Sequence, residues 1–147
     1  MTQTGLQNEA ATVACARKLA GELKPGQVIA LSGELGAGKS VFARALMRAL
    51  GVTDEALPSP TFALIQTYDG RDCQIAHMDW YRLDDADEIE MLGVRDYFEP
   101  PWITIIEWPE RAPGLIPASA IRLTLHCVDD DPDARLIEAG NNQQGCY

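Results

Sequence analysis

The chain has 147 residues, a hydrophobic fraction of 46% and a formal net charge of −10. This length and composition predict one compact domain with a packed core. The acidity disfavours direct binding of RNA or DNA, because affinity for a phosphate backbone comes largely from clustered Lys and Arg. No apolar run approaches the roughly 18 residues of a membrane span, and no signal-peptide pattern is visible, so we expect a cytoplasmic protein without membrane contact.

The first third of the chain predicts a helix, a strand and a second helix. Apolar residues at helical spacing indicate an amphipathic helix over residues 6–23, which ends before Pro25. Residues 27–32 form an apolar run of strand length. Helical spacing returns over residues 41–50, and Gly51 is typical of a C-terminal helix stop.

The segment between this strand and the second helix fits the phosphate-binding P-loop pattern. Its residues are Gly33, Glu34, Leu35, Gly36, Ala37, Gly38, Lys39 and Ser40. Glycines allow backbone N–H groups to turn around an anion, and the helix N-terminus adds partial positive charge. We expect Lys39 to reach the β- and γ-phosphates of a nucleotide and the Ser40 hydroxyl to bind Mg²⁺.

The middle of the chain predicts a hairpin. Two prolines require a loop over residues 57–61. Strand-like runs over residues 62–68 and 73–78 flank a turn at 69–72, which is typical of an antiparallel pair. The sheet is therefore expected to be mixed rather than purely parallel.

The remaining elements complete an α/β pattern. A helix is predicted over residues 84–92 and a buried strand over 102–106. Alternation over residues 121–127 indicates a half-exposed strand, with which residues 134–139 can pair. We expect one domain over residues 1–139 and a frayed tail over 140–147.

Two acidic residues follow predicted strands. Asp79 comes after residues 74–78, and Glu107 follows the more apolar run 103–106. In open α/β sheets ligands bind beyond the carboxyl ends of the strands, so these acids are expected to converge on the P-loop. Together they predict a magnesium site and a means of orienting an attacking water, and either acid can be the direct metal ligand.

Four motifs in order carry a family resemblance. They are the P-loop of residues 33–40, Ser59-Pro60-Thr61-Phe62, His77-Met78-Asp79-Trp80-Tyr81-Arg82-Leu83 and Ile106-Glu107-Trp108-Pro109-Glu110. Their order and spacing resemble the TsaE (YjeE) family over roughly residues 5–127. The resemblance implies a three-layer P-loop NTPase-like fold and a small bacterial ATPase. It also implies work with TsaB and TsaD in the threonylcarbamoyl modification of the adenosine beside the tRNA anticodon, with tRNA contacted only through the complex.

The resemblance also assigns roles by position. Residues 33–40 match the phosphate cradle, with catalytic roles at Lys39, Asp79 and Glu107 and metal binding at Ser40 and the two acids. Thr61 matches a threonine of a switch-like loop, where its hydroxyl approaches the γ-phosphate or the water, unless it only begins a strand. Trp108 stacks on nucleotide or partner, or else packs in the core.

Several functions remain open at this point. The leading one is an ATPase that uses ATP and Mg²⁺ and is weak alone, because no arginine finger is assignable. The alternative is a nucleotide-gated interaction module with little catalytic role. A small-molecule kinase is disfavoured, because the chain lacks the length for an acceptor pocket with a lid.

Overall fold

The computed structural model describes residues 2–58 and 64–140. Within these ranges the chain forms a seven-stranded sheet with the order β1-β7-β6-β2-β5-β4-β3. The strands are β1 (Thr2–Leu6), β2 (Val28–Ser32), β3 (Ile65–Asp69), β4 (Gln74–Asp79), β5 (Trp102–Glu107), β6 (Ile121–Val128) and β7 (Asp131–Ala139).

The sheet is mixed, as predicted. Strands β6, β2, β5 and β4 run parallel to their neighbours in the centre. The predicted hairpin is confirmed as the antiparallel pair β3–β4, and its expected first residues, 62 and 63, lie outside the described ranges. Strand β7 is antiparallel to both β6 and β1. The parallel centre places the carboxyl ends of β2, β4 and β5 at one edge of the sheet.

Helices cover both faces of the sheet and give three layers. Helices α1 (Glu9–Ala20) and α2 (Lys39–Ala49) share one hydrophobic core with one face of the sheet, and α3 (Ala86–Met91) packs in a second core on the other. Strand β5 supplies both cores, because Ile105 belongs to the first and Ile106 to the second. The α/β class and the layered architecture are therefore confirmed.

The predicted N-terminal helix, residues 6–23, was too long at both ends, because α1 spans Glu9–Ala20. The helix begins at Glu9, where the side chain of Asn8 accepts a hydrogen bond from the Ala11 N–H at 2.9 Å. The preceding residues form β1, an edge strand paired with β7. An Asn at the N-cap satisfies a backbone donor that a helix cannot satisfy itself, so it sets the boundary. In the part of the chain that the structure describes, no helix has the length and apolar character needed to cross a bilayer.

The C-terminal hairpin is longer than predicted. Strand β7 begins at Asp131 rather than at 134, and it pairs with β6 as far as Ala139. Of the predicted frayed tail, Gly140 is described and donates its N–H to the Arg122 carbonyl at 2.9 Å. Residues 141–147 lie outside the described ranges. Because β6 is parallel to β2, the turn of this hairpin lies at the same edge of the sheet as the P-loop.

Candidate functional site

The P-loop connects β2 to α2, as the sequence predicts. Gly33 has φ 147°, and a Cβ added there would lie 2.5 Å from the Leu125 carbonyl oxygen. Gly38 is the N-cap of α2 and has a left-handed φ of 98°. Both positions require glycine, one for space and both for backbone conformation. The loop therefore has the tightly turned backbone that a phosphate cradle needs.

Lys39 begins α2 and is buried, with only 6% of its surface exposed. Its Nζ donates a hydrogen bond to the Gly33 carbonyl and lies 3.6 Å from the centroid of the Trp108 ring. Burial lowers the pKa of Lys39, and the carboxylates of Glu107, Glu110 and Asp79 act in the opposite direction. The lysine is thus held at the mouth of the loop between a carbonyl and an aromatic face.

The two predicted acids stand side by side on neighbouring strands. Asp79, the last residue of β4, is the register partner of Glu107, the last residue of β5. Both are buried. The Tyr81 N–H donates to Asp79 Oδ1 at 2.9 Å. Burial raises the pKa of Asp79, and the charge of Glu107 raises it further, against the hydrogen bond from Tyr81. The structure therefore brings the two acids together at the ends of neighbouring strands.

His77 supports one of the two acids. Its side chain is buried, and its Nε2 lies 2.6 Å from Glu107 Oε2. An ionised carboxylate only accepts hydrogen bonds, so the tautomer that bonds to ionised Glu107 here is the one with its proton on Nε2. Nδ1 is buried without a hydrogen-bond partner among the described residues. The contact with His77 therefore fixes one oxygen of Glu107.

Two aromatic side chains, Trp108 and Tyr81, contact each other next to Lys39. Trp108 follows Glu107 with a left-handed φ of 60°. Its ring is tilted against Tyr81 with a centroid distance of 4.7 Å, and the Arg111 guanidinium lies 5.4 Å from the Tyr81 centroid. Trp108 also packs against the second hydrophobic core. The Trp108 ring therefore packs against the core and also lies over the Lys39 ammonium.

A cavity of about 480 Å³ joins these groups. Of the predicted site residues, its lining includes Leu35, Gly36, Ala37, Gly38, Lys39, Ser40, Asp79, Glu107 and Trp108; it also includes Val41, Tyr81, Arg82 and Arg135. Gly33 is not in this lining, but its carbonyl accepts a hydrogen bond from Lys39. Glu34 instead turns away, because its Oε1 accepts the Cys127 N–H at 3.0 Å. Thr61 lies outside the described residues.

Two residues that contact the P-loop were not predicted from the sequence. Arg135 donates to the carbonyls of Gly36 and Ala37, and Cys127 contacts Glu34. Both residues come from the C-terminal hairpin, more than 90 positions from the loop. No motif surrounds them, so no local signal in the sequence indicated these contacts.

The donor set at the cavity fits magnesium. Among the described residues, no group of three or more His, Cys, Asp or Glu side chains is arranged to hold a metal ion alone. Mg²⁺ is usually bound through one or two carboxylates together with phosphate oxygens and water. Asp79 and Glu107 supply such carboxylates, and Ser40 lines the same cavity. These residues therefore fit a Mg²⁺ ion that is bound together with a nucleotide.

A family model described as "Threonylcarbamoyl adenosine biosynthesis protein TsaE" matches residues 6–137. This chain belongs to the TsaE family. The family acts in tRNA threonylcarbamoyladenosine biosynthesis and consists of P-loop-like nucleotide-binding proteins. The resemblance drawn from the four motifs is confirmed, and so is the P-loop NTPase-like α/β fold.

Curated relatives and a solved structure agree with the family match. A protein of Rickettsia bellii named tRNA threonylcarbamoyladenosine biosynthesis protein TsaE is 37% identical over 88% of this chain and 90% of its own length. The protein of that name from Bacillus subtilis is 33% identical over 93% and 85% of the two chains. The crystal structure of Bacillus subtilis YdiB matches with a TM-score of 0.78 and 28% identity, covering 94% of this chain and 83% of that one.

Proposed function

We propose that this chain binds and slowly hydrolyses ATP with Mg²⁺, and that it thereby supports threonylcarbamoyl modification of tRNA together with TsaB and TsaD. One observation carries the proposal: a P-loop lysine and a pair of buried strand-end carboxylates line one cavity. The family membership supports the pathway. The net charge of −10 supports indirect contact with tRNA, through the complex rather than through this chain alone.

Each wall of the cavity has its own role in this proposal. The P-loop backbone and Lys39 bind the β- and γ-phosphates and stabilise the charge that develops on them. Ser40 and the carboxylates of Asp79 and Glu107 hold Mg²⁺, which neutralises phosphate charge when bound. Residues 1–139 act together as the ATPase domain.

The carboxylates also provide a means of positioning water. Glu107 has one oxygen fixed by His77, and Asp79 Oδ1 is fixed by the Tyr81 N–H. Each acid therefore has one oxygen held in a defined orientation, and its second oxygen is assigned to the metal or the water. One of them orients the water for in-line attack on the γ-phosphate. The lone chain hydrolyses ATP slowly, and a partner protein completes the site.

A second function is favoured by the position of Lys39. The lysine bonds to the Gly33 carbonyl beneath the Trp108 ring, and Trp108 contacts the partly exposed Tyr81. Movement of Lys39 toward a phosphate would remove the cation from Trp108 and shift this aromatic pair at the surface. ATP binding would then change a docking surface without hydrolysis, as in a nucleotide-gated module.

Phosphate release is the measurement that tests the proposal. We expect slow release of inorganic phosphate from ATP by the chain alone and faster release with TsaB, TsaD and tRNA. Lys39→Ala is expected to lower the stimulated rate by roughly 100-fold or more, because it removes a charge that stabilises the transferred phosphate. The matched control is Lys18→Ala, since Lys18 is an exposed lysine of α1.

Three results would separate the candidate functions. Unchanged hydrolysis in Lys39→Ala would contradict the ATPase proposal. A phosphorylated small molecule in place of free phosphate would indicate a kinase. Equal tRNA modification over many rounds with a non-hydrolysable ATP analogue would favour the nucleotide-gated module.

A further inference from the structure

Arg135 lies against the P-loop although it belongs to the C-terminal hairpin. Its Nε donates to the Ala37 carbonyl at 3.1 Å, and its Nη2 donates to the Gly36 carbonyl at 3.1 Å. These two hydrogen bonds join strand β7 to the centre of the loop. Arg135 also lines the cavity beside Lys39.

The guanidinium is itself anchored by its own hairpin. Nη1 donates to the carbonyls of Pro132 and Ala134, both at 2.7 Å. A guanidinium has five N–H groups in a rigid planar fork, and four of them are occupied by backbone carbonyls. A guanidinium with these bonds holds the backbone in place. To reach a phosphate in the manner of an arginine finger, it would first have to break them.

The hairpin contacts the beginning of the loop as well. The Cys127 N–H donates to Glu34 Oε1 at 3.0 Å, and this hydrogen bond lowers the pKa of Glu34. The Leu125 carbonyl occupies the space that a Cβ on Gly33 would need. The loop is therefore held by the hairpin near its start and at its centre.

We propose that Arg135 is a positioning residue of the phosphate cradle. In a trans peptide the C=O and N–H point in opposite directions, so a fixed Ala37 carbonyl also fixes the direction of the Gly38 N–H. That donor stands at the N-terminus of α2, where a bound anion is expected. Arg135 holds the loop ready to bind phosphate, so less ordering is required on binding. This inference rests on the proposed binding of ATP at the same loop.

Arg135→Met is the variant that tests the inference. Methionine keeps an unbranched apolar stem and removes the charged donors. Arg122→Met is the matched control, because Arg122 is an exposed arginine of the same hairpin. Arg135→Lys keeps a positive charge on a long stem but lacks the planar fork.

Two readouts are needed: the affinity for Mg·ADP and the hydrogen exchange of the loop amides in protein without added nucleotide. We expect Arg135→Met to weaken Mg·ADP binding about tenfold, as two hydrogen bonds from a charged donor are lost. Amide exchange is expected to accelerate at residues 36–39 and to stay unchanged in α3. Arg135→Lys is expected to resemble Arg135→Met, and Arg122→Met to resemble wild type.

Several outcomes would overturn the inference. One is unchanged affinity and exchange in Arg135→Met. Another is full rescue of both by Arg135→Lys, which would assign the effect to charge alone. Accelerated exchange throughout the sheet would assign Arg135 a general structural role. Failure of wild type to bind Mg·ADP would contradict the proposed function instead, and the loop exchange would still report whether Arg135 orders the loop.

Discussion

The two walls of the cavity are built in different ways. The phosphate wall is one continuous segment, residues 33–40, whose chemistry lies in backbone conformation and one lysine. The carboxylate wall is assembled from the ends of β4 and β5, which bring Asp79 and Glu107 into register across the sheet. The first wall depends on local glycine geometry, and the second depends on the pairing of strands.

Burial acts on both walls in the same sense. It lowers the pKa of Lys39 and raises the pKa of Asp79, so in each case the charged form is disfavoured. The attraction between Lys39 and the acids opposes this effect across the cavity. Removal of an acid's charge should therefore lower the pKa of Lys39 further, whereas a change in loop backbone leaves these charges in place. This difference can be tested by substitutions in each wall.

The largest expected effect comes from the carboxylate wall. Glu107→Gln should lower partner-stimulated phosphate release by about 10²- to 10³-fold and change nucleotide affinity by less than about fivefold. Glutamine retains an acceptor for His77 but loses the charge that binds metal and orients water. Phosphate release and calorimetric binding measure the two effects. Glu22→Gln, at an exposed position outside the cavity lining, is the control. An equal loss of binding and turnover would contradict separate roles for the two walls.

A smaller effect is expected from the loop backbone. Gly38→Ala should weaken nucleotide binding about tenfold, because alanine lets the free loop relax and a return to the left-handed region on binding costs roughly 1–2 kcal/mol. The added Cβ meets only ordinary contact, 3.7 Å from Arg135 Nε, so the effect comes from φ rather than from a clash. Gly114→Ala is the control, since a Cβ there meets nothing within 4 Å. Undiminished affinity in Gly38→Ala would show that the loop does not need this conformation.

The smallest expected effect concerns stability. The pKa of Asp79 is raised in the folded protein, so stability is lost as the pH rises from the unfolded pKa to the folded pKa, and the full cost remains at higher pH. In metal-free buffer Asp79→Asn should therefore raise the Tm at pH 7, and the gain should disappear as the pH falls and wild-type Asp79 takes up a proton. Asn retains an acceptor for the Tyr81 N–H. Thermal melts across pH test this, with exposed Asp129→Asn as the control; a lowered Tm at pH 7 would show that the carboxylate stabilises the fold.

The sequence was sufficient wherever the deciding residues are close together. The P-loop, the β3–β4 hairpin and α2 follow from turn residues and periodicity within short windows. The meeting of Asp79 with Glu107 was also predictable, because parallel strands expose their carboxyl ends at one edge. The resemblance to the TsaE family then indicated the tRNA-modification pathway.

Contacts between residues far apart in the chain could not be predicted from local sequence patterns. Strand β1 lacks an alternating pattern, and it forms because β7, more than 120 positions away, offers an edge. Arg135 reaches Ala37 across 98 positions, and nothing near it in sequence marks that contact. The position of Trp108 over Lys39 likewise depends on how β5 and the P-loop meet.

The central claim is that both walls act on one nucleotide, and calorimetric titration of ATP with and without Mg²⁺ tests it most directly. Wild type should bind one ATP per chain, at least about tenfold more tightly with Mg²⁺, because the metal offsets repulsion between phosphate and the acids. The Asp79→Asn/Glu107→Gln double variant should bind ATP with little dependence on Mg²⁺. A magnesium dependence that persists undiminished in the double variant, or ATP binding by wild type that is indifferent to Mg²⁺, would contradict the account.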